Sequence, residues 1–304
     1  KEGDISREGT KVTCNRRSVV LHSSWSNNVL VMNIDGSNAT DLTQQTLLDI
    51  NSEITSGHDF SPDMSKIVFS SNGKLDGTPG GPQANAWRNL FIMNADGTGK
   101  LALTRFQSGT FAVSTATFSH DGAWIYFVTN APLSAENGTW TGSLAGANIW
   151  RVRPDGTELR AITRSTNTAY FMWPSYFFAD GSGFLAYGYL SFSTGLDTDP
   201  INAGNLWSFS MDGTSRLAHT RLTGSYGIGR PHVSPDESLI AFTSRLPLDG
   251  PTGEAAIGSN IWVASLNKDK GLGDMRPITR ATNSAFAVTV SLKRNAIWAQ
   301  VCPQ

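Results

Sequence analysis

Three features of the sequence predict an all-β fold, a β-propeller of four-stranded antiparallel blades. One phrase recurs along the chain, and its first complete copy, at residues 89–105, reads NLFIMNADGTGKLALTR. Apolar and other residues alternate within it, which is the period of a strand with one buried face. An Asp-Gly pair follows, which is among the strongest short signals for a β-hairpin; the pairs are at 35–36, 96–97, 155–156 and 212–213. We expect a tight primed turn, with positive φ at both residues of the pair.

The copies of the phrase are regularly spaced. Their leading residue is always asparagine, and the intervals shorten from 61 to 55 residues; these residues are Asn28, Asn89, Asn148, Asn205 and Asn260. A regular period of this length indicates a propeller, a solenoid or an array. A Trp or Phe recurs at one position of the phrase, at 91, 150, 207 and 262. We expect these rings in the core between sheets.

Two further strands precede each hairpin. In the first full repeat, FSPD at residues 60–63 leads to IVFSS at 67–71. Pro fixes φ and Asp bonds its own backbone, so segments of the Ser-Pro-Asp type predict a turn in which the Asp is structural. Each repeat therefore holds four short strands, which we term a to d. Radial copies of such sheets form a propeller, which leaves only short, protected edges.

This series of FSPD, IVFSS, NLFIMNADGT and a closing Leu-Thr resembles the WD40-like (PD40) repeat of TolB-type propellers. The resemblance covers about residues 15–301. It implies a propeller fold and is nearly silent on function, because such repeats occur in periplasmic adaptor proteins, protease-associated propellers and oligogalacturonate-type polysaccharide lyases. No His/Gln metal cluster of such lyases aligns with this sequence.

We expect a single domain over residues 1–304, with residues 1–13 loosely attached. Five copies each of strands a, c and d favour five blades, closed by the C-terminal strands. Six blades, with one incomplete or built from both termini, are the alternative.

Bulk properties exclude some partners. The formal net charge is -1, only 16% of residues are charged and no basic stripe is present, so nucleic acid is not an expected partner. No apolar run approaches the length of about 18 residues that a membrane-spanning helix needs. A divalent cation in the central channel of the propeller stays open as a cofactor.

Two features favour an extracellular or periplasmic location. Cys14 and Cys302 lie near opposite ends of the chain. A closed propeller would bring them together, so we predict a disulfide rather than two buried thiols, which implies an oxidising compartment. Two N-glycosylation sequons begin at Asn38 and Asn137, both in predicted loops.

The loops between strands b and c are long, and four of them crowd one face of the predicted propeller: 72–88, 130–147, 190–204 and 245–259. Loops of this length without their own secondary structure are usually functional or disordered. Trp87 and Trp140 lie in these loops, and we place Trp173 in a d–a loop. Loop tryptophans stack on sugar rings and also anchor protein interfaces.

The d–a loops carry a recurring aromatic residue; the four are Phe111, Tyr170, Tyr226 and Phe286. These rings either plug the gaps between blades or form a ring of stacking platforms around the mouth of the channel.

Strand a is polar where a buried strand would be apolar. Its polar residues include Asp59, Tyr176, Arg230 and His232, which we hypothesise to converge at the channel mouth. The alternative is a channel that is simply wet and polar. In a β-elimination, Tyr176 or His232 would be the base, Arg230 would hold the substrate carboxylate, and Asp59 would orient a partner or hold a metal.

These observations rank three functions. Binding of a carbohydrate or glycoconjugate by the aromatic residues of the loop face comes first. A polysaccharide lyase acting at the channel mouth is second. A scaffold that receives a peptide or a protein domain on the same face is third.

Overall fold

A computed structural model shows a chain built from short β-strands. It describes residues 18–22, 29–33, 37–43, 54–71, 75, 88–106, 113–131, 147–163, 172–188, 204–222, 227–244 and 260–279. Within these ranges, only the backbone is described for residues 18–22, 30–33, 54–57 and 230. Among these residues no helix is long and apolar enough to cross a membrane.

The described strands form five antiparallel sheets, in each of which strands adjacent in sequence are paired. Sheet 1 contains β1 (Ser18–His22), β2 (Val29–Asn33) and β3 (Thr40–Asp41). Sheet 2 contains β4 (Ile54–Phe60), β5 (Lys66–Ser71), β6 (Asn89–Asn94) and β7 (Leu101–Ala102). Sheet 3 contains β8 (Val113–Phe118), β9 (Ile125–Thr129), β10 (Asn148–Val152) and β11 (Arg160–Ala161).

Sheet 4 contains β12 (Met172–Phe177), β13 (Gly183–Gly188), β14 (Asn205–Ser210) and β15 (Arg216–Ala218). Sheet 5 contains β16 (Ile228–Val233), β17 (Leu239–Ser244), β18 (Asn260–Asn267) and β19 (Gly271–Pro277). The prediction of an all-β fold made of four-stranded antiparallel sheets is confirmed by sheets 2 to 5.

The chain divides into two compact units. The first comprises Lys1–Ser143, Trp150–Arg160 and Ala296–Gln304, and the second Leu144–Ile149 and Ala161–Asn295. Sheets 1 and 2 belong to the first unit, sheets 4 and 5 belong to the second, and the division passes through sheet 3. That residues 1–304 form one domain stays a prediction.

Each unit has an apolar core between neighbouring sheets. In the first unit, Val68 and Leu90 of sheet 2 belong to one buried cluster with Phe127 of sheet 3. In the second, Leu206 of sheet 4 packs with Phe242 of sheet 5. Each fully buried side chain of this size contributes about 1.5–3 kcal/mol to the free energy of unfolding. The recurring ring is buried at Phe91, Trp207 and Trp262 and half-buried at Trp150, which confirms its predicted place in the core.

The Asp-Gly hairpins differ from the predicted primed turns. Gly97, Gly156 and Gly213 have φ of 86°, 87° and 74°, whereas the preceding aspartates do not have positive φ. At residues 94–98, the Gly97 N–H donates to the carbonyl of Asn94 and the Asn94 N–H donates to the carbonyl of Thr98, both at 2.9 Å. This is a type I turn followed by a left-handed glycine, and the primed-turn prediction is wrong for these three pairs, whereas the pair at 35–36 lies outside the described residues. Its cause is the Asp96 carboxylate, which accepts the N–H and the hydroxyl of Thr98 at 2.9 and 2.6 Å.

The turns between strands a and b follow the prediction. The Asp63 carboxylate accepts the N–H of Ser65 at 3.1 Å, and the Ser61 hydroxyl accepts the N–H of Lys66 at 2.9 Å. Asp121 receives the N–H of Ala123 at 3.0 Å in the equivalent turn. These aspartates hold the backbone of the turn, and their interpretation as structural residues is confirmed.

Candidate functional site

Each four-stranded sheet has two distinct ends. The short a–b and c–d turns lie at one, which we call the turn end. The long b–c segments and the d–a segments attach at the other, which we call the loop end. In all four of these sheets the pairing of strands a and b is interrupted by a register shift, between Thr55 and Asp59, Val113 and Thr115, Pro174 and Tyr176, and Gly229 and His232. Such bulges redirect side chains and are over-represented next to functional sites.

Asp59 lies in β4 and links sheet 2 to sheet 3. One carboxylate oxygen, Oδ2, accepts the hydroxyl of Thr117 at 2.6 Å and the N–H of Phe118 at 3.1 Å. The other, Oδ1, accepts the N–H of Phe60 at 2.9 Å. Both oxygens therefore serve contacts within the first unit, which is the behaviour of a structural group.

Tyr176 lies in β12 and makes a comparable link between sheets 4 and 5. Its hydroxyl donates to Oε1 of Glu237 at 3.1 Å, and the same oxygen accepts the N–H of Ala179 at 2.7 Å. Glu237 has a φ of 59° in the turn between β16 and β17. The hydroxyl of Tyr176 is thus held at the turn end of the sheet, opposite to the loop end at which the sequence placed it.

Lys268 adds an ion pair to the contacts between sheets 4 and 5. Its ammonium binds the carboxylate of Asp180 and lies 5.5 Å from the ring centroid of Phe178. The hydrogen bond from Lys268 is the main reason that the pKa of Asp180 lies well below its usual value. The turn end is therefore occupied by contacts between neighbouring sheets.

The other two proposed catalytic residues lie in β16. His232 is half-buried and faces Ala241 across the sheet, and Arg230 lies within the register shift beside it. Together with Tyr176 they belong to the second unit, whereas Asp59 belongs to the first.

Trp173 lies at the loop end of sheet 4. It pairs in register with Tyr187 of β13, and the two ring centroids are 5.6 Å apart with an interplanar angle of 34°. Both residues are half-buried, so each ring keeps part of its surface open to solvent. The placement of Trp173 in a d–a loop is wrong. Strand β12 extends through Pro174 because it is an edge strand with a register shift at that point, where a missing N–H is tolerated.

A close backbone crossing lies at the same end of sheets 4 and 5. The N–H of Ile228 donates to the carbonyl of Gly204 at 2.7 Å. A Cβ atom on Gly227 would lie 2.2 Å from the nitrogen of Gly204, so no side chain fits. Only glycine allows the backbone of these two positions to approach so closely.

The remaining predicted residues fall in two groups. Asn38 is exposed, with a φ of 55°, in the β2–β3 hairpin. The others lie outside the described residues: Trp87, Trp140, Phe111, Tyr170, Tyr226, Phe286, Cys14, Cys302 and Asn137. Within the described part of the chain, no group of three or more His, Cys, Asp or Glu side chains could hold a metal ion.

The sequence did not reveal the role of the leading asparagine of each phrase. Oδ1 of Asn89 accepts the hydroxyl of Thr104 at 3.0 Å and the N–H of Phe106 at 2.7 Å, and the Thr104 hydroxyl accepts the N–H of Leu90 at 2.9 Å. We call this arrangement the Asn–Thr clamp. It recurs in the pairs Asn148–Thr163, Asn205–Thr220 and Asn260–Thr279. The signal was the spacing of 15 residues between Asn and the Thr of Thr-Arg in three of these pairs, which lengthens to 19 in Asn260–Thr279.

No protein-family model and no curated protein matches this chain, but solved structures match it. One is a putative TolB from Agrobacterium tumefaciens, with 15% identity, a TM-score of 0.53 and coverage of 90% of this chain and 80% of that one. Another is an oligogalacturonate lyase from Vibrio parahaemolyticus, with 13% identity, a TM-score of 0.54 and coverage of 90% and 65%. A puromycin-hydrolyzing peptidase from Mycobacterium tuberculosis has 12% identity, a TM-score of 0.58 and coverage of 90% and 39%.

These likenesses show the fold alone. It is the fold of β-propeller proteins, TolB-like ones included. The chain spans about two thirds of the lyase and two fifths of the peptidase.

Proposed function

We propose that this protein binds a carbohydrate or glycoconjugate at the loop ends of its sheets, with Trp173 as a stacking platform. The observation that carries the proposal is the pair formed by Trp173 and Tyr187, which are half-buried and 5.6 Å apart at the loop end of sheet 4. Two adjacent rings with partly open surfaces suit the apolar face of a pyranose, because aromatic side chains supply apolar contact with little loss of conformational freedom.

The neighbouring backbone supports this site. The close contact of Gly204 with Gly227 and Ile228 lies at the same end of sheets 4 and 5 as the aromatic pair. Tyr170, Tyr226 and Phe286 belong to the same compact unit as Trp173 and are proposed as further platforms of that unit. Trp87, Trp140 and Phe111 are proposed as platforms of the first unit. A pre-formed site of this kind reduces the entropy that binding would otherwise cost.

A polysaccharide lyase is the second candidate. It is favoured by the fold shared with the oligogalacturonate lyase and by His232, which is half-buried in β16 beside Arg230. The contacts of Tyr176 with Glu237, and of Asp59 with Thr117, weigh against it, because both groups already serve links between sheets. We therefore rank binding first. A peptide or protein partner is the third candidate, which the experiment below distinguishes from the other two.

Two structural proposals accompany the function. The first is a propeller of five blades, in which a C-terminal strand completes sheet 1 and its three described strands. The second is a disulfide between Cys14 and Cys302 that secures the closure. The protein would then act outside the cytoplasm, secreted or periplasmic, where a glycan at Asn38 or Asn137 depends on the host.

The test is a glycan array that contains neutral and uronate oligosaccharides, followed by saturation-transfer NMR with the strongest ligand. We expect binding that Trp173→Ala abolishes and that Trp124→Ala, a half-exposed tryptophan at the turn end of sheet 3, leaves unchanged. An unsaturated product that His232→Ala abolishes would instead establish the lyase. Blank arrays together with one stoichiometric partner in a pull-down would overturn both in favour of a protein scaffold.

A further inference from the structure

His219 interrupts a repeated apolar packing position. The residue before the threonine that follows strand d is Leu42, Leu103 or Ile162 in sheets 1 to 3, where all three are buried. In sheet 5 it is Ile278, which is apolar and 54% exposed. In sheet 4 this residue is His219, which is only 8% exposed. Neither of its ring nitrogens has a hydrogen-bond partner within the described part of the chain. A buried imidazole without a hydrogen-bond partner destabilises the folded state, because the ring nitrogens lose their hydrogen bonds to water.

The histidine adjoins the contacts that hold the outer edge of sheet 4. Its own N–H donates to the carbonyl of Leu206 at 2.8 Å, and the next hydroxyl, that of Thr220, donates to Oδ1 of Asn205 at 2.9 Å. The same Oδ1 accepts the N–H of Leu222 at 2.7 Å. Movement of the imidazole towards water would therefore strain the clamp and the end of β15 together.

Charged groups do not offset the burial of this imidazole. Arg216 begins β15, the strand that ends just before His219, and Arg221 lies two residues after His219; both arginines are exposed. In the adjoining sheet 5, the β18–β19 hairpin carries Lys268, which pairs with Asp180, and the exposed Asp269 and Lys270. Burial alone lowers the pKa of His219, to about 4 from the usual 6.5. The neutral form is thus the one that fits the closed edge.

We propose that His219 is an acid-sensitive switch, whose protonation favours an open edge of sheet 4 in which β15 and the Asn205–Thr220 clamp separate from β14. The sign follows from proton linkage. In the open form the imidazole is hydrated and binds a proton more readily than in the closed form, so the closed form loses stability as the pH falls below about 6.5. The loss ends near pH 4, where the closed form also binds the proton. At pH 5 the equilibrium constant for opening should be roughly 20-fold larger than at pH 7.

Hydrogen exchange tests this switch on the intact protein, without any ligand. Exchange of the amides of residues 205–222 is measured at pH 7 and at pH 5. Residues 89–106, which form the same clamp around Leu103 in sheet 2, are the reference that corrects for the intrinsic pH dependence of exchange. We expect protection in sheet 4 to fall at least tenfold relative to sheet 2. His219→Leu and His219→Asn, neither of which can be protonated there, should remove this relative loss.

Two results would overturn the inference. One is a ratio of protection between the two sheets that stays constant from pH 7 to pH 5 in the wild-type protein. The other is an unchanged relative loss in both variants. A gain-of-function variant, Leu103→His, provides an independent check, since it should transfer the acid-dependent opening to sheet 2. Because no ligand is present, these outcomes are separate from the success or failure of the proposed glycan site.

Discussion

Gly213 satisfies two separate demands at one turn. Its φ of 74° lies in the left-handed region, and a Cβ atom there would lie 2.7 Å from the carbonyl oxygen of Ile162 in the preceding sheet. Gly97 and Gly156 occupy the same position of the repeat, and they meet Leu42 and Leu103 respectively. The glycine of the Asp-Gly pair therefore shapes the hairpin, and at Gly97 and Gly213 it also lets the hairpin approach the preceding sheet closely.

We expect Gly213→Ala to lower the free energy of unfolding by about 2–4 kcal/mol, from backbone strain and from the displaced contact together. Gly181→Ala is the matched control, because Gly181 has a φ of 70° but nothing within 4 Å of the added Cβ. It should lose only about 1–2 kcal/mol. Urea unfolding measures both values, and equal losses would show that the contact with Ile162 contributes nothing.

At the scale of the element, the Asn–Thr clamp joins strands c and d in each repeat. We expect Thr220→Val to cost about 1–3 kcal/mol, because it leaves the buried N–H of Leu206 and part of Asn205 without partners. Thr214→Val removes a hydroxyl from an exposed turn and should cost less than about 1 kcal/mol. Thermal unfolding of the two variants compares them; a larger loss for Thr214→Val would contradict the role of the clamp.

The turns should make the protein sensitive to acid. Hydrogen bonds from neighbouring hydroxyl and N–H groups lower the pKa of Asp63, Asp212 and Asp236 to about 2. Carboxylates whose pKa is lowered by folding stabilise the fold above their unfolded pKa of about 4, and this contribution disappears as the pH falls towards 2. Asp236→Asn should therefore lower the urea midpoint at pH 7 and have little effect at pH 2. The same effect at both pH values would exclude ionic stabilisation of this turn.

The repeat made the elements predictable because each strand and turn occurs several times in one chain. Strands c and d were located by the alternation of apolar residues, as in Leu90–Asn94, and by the Asp-Gly pairs. These patterns did not settle the turn type, because it depends on the side-chain contact between Asp96 and Thr98. Trp173 was misplaced because the start of β12 at Met172, ahead of Pro174 and the register shift, was not evident from the sequence. The contacts of Tyr176 could not be predicted, since Glu237 is distant in sequence and reaches it from another sheet.

At the scale of the whole molecule, the proposed disulfide between Cys14 and Cys302 can be tested directly. If Cys14 and Cys302 are joined, the exported protein has no reactive thiol after denaturation, and its mass falls by two hydrogen atoms relative to the reduced form. Cys14→Ser should lower the thermal midpoint and leave Cys302 reactive. Two reactive thiols in the wild-type protein would contradict both the bridge and the location that it implies.

The most direct test of the central claim is saturation-transfer NMR of the wild-type protein, Trp173→Ala and Trp124→Ala with one pool of neutral and uronate oligosaccharides. The glycan proposal predicts equal ligand signals for the wild type and Trp124→Ala, and their loss in Trp173→Ala. Signals that persist in Trp173→Ala, or their absence from the wild type, would contradict a glycan site on the aromatic pair of Trp173 and Tyr187.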